Sequence, residues 1–126
     1  MQLQTNADLH TEKLYDLCMI EQLCRGNQEK IKKMVEVFIV QAPKSVEEIK
    51  IAFLQGDFAV IKTVAHRIKP TLSYYAIIKI EKDIQQIERL AKEGSNSDEL
   101  KLKIMKVDDV ITRVVEKMKQ DILQNG

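Results

Sequence analysis

Apolar residues recur along this chain in steps of three and four, the spacing that places them on one face of a helix. Leu14, Leu17, Ile20 and Leu23 step by three and predict a short helix over 13–24. Arg25-Gly26-Asn27 should stop it, with Gly26 in the left-handed position and Asn27 capping the next helix above Glu29. Ile31, Val35, Phe38, Ala42, Val46, Ile49 and Phe53 then keep one apolar phase across Pro43. Proline removes an amide and disfavours helix at the residue before it. A kinked rod over 28–55, or two short helices meeting at Ala42, is therefore expected. Gln55-Gly56-Asp57 reads as a stop and restart, with Asp57 as N-cap. Phe58, Ile61, Ala65, Ile68, Leu72 and Tyr75 form the next stripe, ending near Tyr75. Ile77, Ile80, Ile84, Ile87 and Ala91 follow, closed by Gly94 and the loop Ser95-Asn96-Ser97. Leu100, Ile104, Val107, Ile111, Val114 and Met118 alternate by four and three in a final helix.

Four long amphipathic stripes joined by short loops predict an all-α protein, an antiparallel four-helix bundle with a short additional N-terminal helix. The alternation of four and three favours crossing angles near 20°. Residues 1–12, which include His10, are polar and aperiodic and should be frayed or disordered; 13–126 should form one domain. With 126 residues, 44% hydrophobic and 31% charged, the chain is long enough for a single core. It has no run of about 18 apolar residues and no basic-then-apolar leader, so neither a membrane span nor export is expected, and the cytoplasm is the expected location. Cys18 and Cys24 match no zinc spacing and read as small apolar fillers of a reduced protein. A net charge of +1 without a basic stripe argues against nucleic acid.

One side chain changes the picture. His66 lies about 130° from the centre of its helix's apolar stripe, at ~100° per residue, and so faces solvent. Its neighbours at three, four and seven residues include Lys62, Thr63, Lys69, Pro70 and Ser73, and no acid occurs between Asp57 and Glu81. The expected surroundings are a cationic collar of Lys62, Arg67 and Lys69, which opposes a further positive charge on the ring. No second catalytic group is visible beside it.

The segment Ala65-His66-Arg67-Ile68-Lys69-Pro70-Thr71-Leu72 resembles the Ala-His-x-Leu-Lys-Gly signature of histidine-containing phosphotransfer (HPt) domains. Phe38 ahead of an acid-rich turn, the Gly56-Asp57 step opening the histidine helix, and Ile87-Glu88 about twenty residues after the histidine are similar to that family too, over roughly 15–93. The chain departs from it at Pro70 and near Ala76, where the family carries glycine. The resemblance implies a phosphorelay intermediate: His66 accepts a phosphoryl group from a receiver-domain aspartate and passes it to another receiver. It implies that Lys69 contacts the phosphate; Lys62, Thr63, Arg67, Pro70 and Ser73, which share the outer face with His66, are expected to border the docking receiver, Lys62 and Arg67 steering it by charge. Partners would be response-regulator receiver domains and a hybrid sensor histidine kinase. No cofactor is implied for this chain, since Mg²⁺ and the catalytic residues belong to the receiver. A monomer is expected, without metal and without catalytic machinery of its own. Two other classes compete with this reading: a helical adaptor that docks a receiver or other partner without phosphorylation, and an enzyme using His66 as general base, which lacks a partner residue.

Overall fold

The computed structural model describes residues 13–94 and 96–123. The expectation of a frayed 1–12 segment, and His10 with it, lies outside the described residues. Among those residues the chain is all-helical and has no strand. It forms α1 (Cys18–Leu23), α2 (Gln28–Gln55), α3 (Phe58–Tyr74), α4 (Glu81–Lys92) and α5 (Asp98–Met118), with a 3₁₀ turn at Ile78–Ile80 and a π turn at Lys119–Leu123. Each long helix packs on two neighbours in the order α2, α3, α4, α5 and back to α2, while α1 leans on α2. No helix among the described residues is long and apolar enough to cross a membrane.

The helix boundaries follow from local chemistry. The side chains of Asn27, Asp57 and Ser97 each accept from the amide three residues on (Lys30, Val60 and Leu100), satisfying one orphan donor per helix start. Gly56 (φ 69°) ends α2 in the left-handed conformation and Asp57 restarts the chain directly. Pro43 does not split α2, which is one helix of 28 residues. The buried stripe Ile31, Val35, Phe38, Ala42, Val46 and Ile49 stays in phase through it, and this packing outweighs a single lost backbone bond.

The first helix is shorter than its pattern suggested. Only Cys18–Leu23 is helical; Leu14 and Leu17 pack on the core from a non-helical lead-in, and Leu23 is exposed. Steps of three drift by about 60° each on a helix, so Leu14 and Leu23 stand half a turn apart and cannot share a face. Cys24 is buried in place of Leu23, whereas Cys18 is exposed, so only one of the two cysteines is a core filler. The lead-in is held instead by the Asp16 amide donating to the Tyr75 carbonyl (2.9 Å) and the Tyr15 hydroxyl donating to Asp121 (2.7 Å). Burial, reinforced by Asp121, pushes the Tyr15 hydroxyl well above the usual tyrosine range.

Every residue of the last two predicted stripes is buried: Ile77 and Ile80 at the 3₁₀ turn that leads into α4, Ile84, Ile87 and Ala91 on α4, then Leu100, Ile104, Val107, Ile111, Val114 and Met118 on α5. A helix as short as α4 is marginal alone, and this burial, about 1.5–3 kcal/mol for each large side chain, holds it in place. Asp83 is the one buried charged residue described; Lys106 (3.0 Å) and Lys103 (3.8 Å) of α5 grip it across the α4–α5 seam.

The end of α3 carries a local conflict. The Ile77 amide donates to the Leu72 carbonyl (2.9 Å) and the Ala76 amide to the Ser73 carbonyl (3.1 Å), the paired bonds of a Schellman cap. That cap needs a left-handed residue, and Ala76 supplies it at φ 53° despite its Cβ. This is where the resembled family carries glycine. Ala76→Gly is expected to raise stability by about 0.5–1 kcal/mol, because relief of left-handed strain exceeds the added unfolded-state entropy. Thermal unfolding should show a midpoint a few degrees higher. A lower midpoint would mean that the Ala76 methyl is held by packing worth more than the strain.

Candidate functional site

Helix α3 turns Ile61, Val64, Ala65, Ile68 and Leu72 into the core. The remaining phase of the helix puts His66 outward, with its side chain 71% exposed. Lys62, Thr63, Arg67, Pro70 and Ser73 are exposed on the same helix, while Lys69 is half-buried. The helix continues through Pro70 to Tyr74, so proline does not end the rod that carries the histidine. Its ring lies one turn beyond His66, and its missing amide removes the usual helical donor to the His66 carbonyl.

The collar is not free of acids. Packing of α4 against α3 brings Glu88 onto the histidine: its Oε2 lies 2.9 Å from His66 Nδ1, and its Oε1 accepts from Lys69 Nζ at 2.8 Å. One carboxylate therefore bridges the residues at the second and fifth positions of the motif. The bond from Lys69 holds the Glu88 carboxyl below the usual range against the opposing effect of burial, and the bond to His66 adds to the lowering. On the other flank Arg67 donates to Glu48 of α2 at 2.8 Å. The expectation of cations opposing charge on the ring is overturned: Lys69 and Arg67 each have a carboxylate partner, and the group on the ring is an acid.

Glu88 entered the sequence reading only as part of a resemblance, without a role, and Glu48 was not singled out. Both lie about twenty residues from their partners, on other helices, so no local spacing joins them to His66. The available signal was an acid beside the buried stripe of α4, one position after Ile87.

An ionised carboxylate accepts only, so the Nδ1 nitrogen carries the proton of this bond. In the neutral ring the lone pair then resides on Nε2. The arrangement thus presents an imidazole tied through Nδ1 to a carboxylate, with an ammonium one turn away on the same carboxylate. Near the end of α3, Met19, Tyr74 and Ile78 are exposed apolar side chains bordering a depression of about 400 Å³ with Ser73. Among the described residues no three His, Cys, Asp or Glu side chains converge in a set that could hold a metal ion. Compared with family models, with curated proteins and with solved structures, the chain gives no match.

Proposed function

We propose that the protein is a phosphorelay intermediate of the HPt type, and that the helices form an antiparallel four-helix bundle with α1 added at one end. The observation that carries the reading is the bridge from Glu88 to both His66 and Lys69. It supports a histidine held by Nδ1 with Nε2 directed outward as the phosphoacceptor.

The transfer balances on these groups. The Nε2 lone pair attacks the phosphorus of an aspartyl phosphate on a receiver domain; the N–P bond forms, the acyl O–P bond breaks, and the aspartate leaves as carboxylate. The ring keeps its Nδ1 proton and gains positive charge, which the Glu88 carboxylate offsets at 2.9 Å. Lys69 can swing from Glu88 to the phosphoryl oxygens, where an ammonium is a suitable counter-charge. The reverse sequence delivers the group to a second receiver, which supplies Mg²⁺ and the acceptor aspartate.

Lys62, Thr63, Pro70 and Ser73 border the incoming receiver on the exposed face of α3, and Arg67 does so from its edge. The apolar side chains of Met19, Tyr74 and Ile78 extend this surface. Incubation with a labelled phosphorylated receiver should move acid-labile phosphate onto this chain. Binding of the receiver without any transfer would favour the second reading, a docking adaptor that is not phosphorylated.

A further inference from the structure

Helix α2 has a second stripe that its core packing does not use. Val37, Val40, Lys44, Glu47, Ile51 and Leu54 follow one another in steps of three, four, three, four and three. At ~100° per residue they fall within an arc of about 100°, opposite the buried line of Ile31, Val35, Phe38, Ala42, Val46 and Ile49. All six are exposed: Val37 by 59%, Val40 by 61%, Ile51 by 47% and Leu54 by 83%, with Lys44 and Glu47 between them. This is the spacing of a coiled-coil seam, on the outside of a helix whose inside is already packed.

The stripe is the same read from either end. Two apolar residues, two charges and two apolar residues are separated by a palindromic set of steps. We infer that this face of α2 pairs with the same face of a second copy of the chain, antiparallel about a two-fold axis between Lys44 and Glu47. In that register Val37 meets Leu54 of the second copy, Val40 meets Ile51, and Lys44 meets Glu47, each pair occurring twice by symmetry. Charge selects the direction. A parallel pairing in register would set Lys44 against Lys44 and Glu47 against Glu47, whereas the antiparallel one makes two opposite-charge pairs. Within its own chain Glu47 has only a 3.5 Å contact with Lys50 one turn on, and Lys44 has no acid partner among the described residues.

The seam is one face of a single helix, about five turns at ~3.6 residues each, with four apolar side chains per copy. A reversible dimer of modest affinity is therefore expected, in place of the monomer read from the sequence. His66, tied to Glu88 of α4, is not a member of the paired stripe. This inference is independent of the phosphotransfer reading.

Sedimentation equilibrium over a range reaching high micromolar concentration tests it. The native chain should pass reversibly from monomer to dimer. Lys44→Glu and Glu47→Lys should each weaken the dimer by about tenfold or more, because each sets like charges together in both central layers. The double variant Lys44→Glu/Glu47→Lys should restore it to within about threefold, since the swap keeps every antiparallel pair opposite in sign. A mixture of the two single variants should associate as well. The substitutions lie on an exposed face, and circular dichroism checks that each variant keeps its helix content. A native chain that stays monomeric throughout, single variants that dimerise as the native chain does, or a double variant as weak as the singles would each overturn the pairing.

Discussion

His66→Gln should abolish phosphoryl acceptance and leave the fold intact. The imidazole is 71% exposed and contributes nothing to the core, so the substitution should shift stability by under ~0.5 kcal/mol. Glutamine can still donate an amide hydrogen towards Glu88, which keeps the carboxylate partnered, but an amide nitrogen has no lone pair available for attack. The effect on transfer is therefore all or none, read as loss of acid-labile label after incubation with a phosphorylated receiver. A destabilisation of several kcal/mol would show that the ring is structural. Label persisting in the variant would place the acceptor elsewhere, with His10 the other histidine of the sequence.

The next largest effect is expected at Glu88. Glu88→Ala removes the acceptor on Nδ1, so the neutral ring divides between two tautomers and turns about its bonds, and the charge growing on it during transfer has no counter-ion. A slowing of tenfold or more is expected, equivalent to roughly 1.4 kcal/mol in the barrier. Glu88→Gln should fall between the two, because its carbonyl can still accept from Nδ1 while the negative charge is lost. Single-turnover transfer to one receiver orders the three proteins. Since Lys69 holds the Glu88 carboxyl below the usual range, the native rate should show no loss of this group as pH falls towards the ordinary carboxylate pKa. An alanine variant as fast as the native chain would mean that the bridge is ornamental and that the histidine needs no orientation.

What could be read from the sequence was what neighbouring residues decide among themselves. The caps at Asn27 and Asp57 and the stripe on α5 depend on residues within a turn or two, and they are found where the pattern puts them. The failures have equally local causes. Steps of three at Leu14, Leu17, Ile20 and Leu23 rotate off a single face, so the first helix shrinks to Cys18–Leu23. At Ala76, where the resembled family carries glycine, the cap still forms because the bonds from Ile77 and Ala76 outweigh the strain of one alanine. The outward position of His66 was legible from phase alone. Its charge environment was not, because Glu48 and Glu88 reach the histidine helix only through packing of α2 and α4 against it.

That same packing sorts the positions around the histidine into two kinds. Arg67 and Lys69 are each engaged by an acid on a different neighbouring helix, and changing either one disturbs a contact that another element also uses. Lys62, Thr63 and Ser73 are exposed on the outer face of α3 and make no side-chain contact of this kind among the described residues. Substitutions at such positions alter stability little, within about 0.5 kcal/mol. If the proposed phosphotransfer holds, substitutions at 62, 63 and 73 should change which receiver is served, while those at 66, 69 and 88 should change the transfer itself.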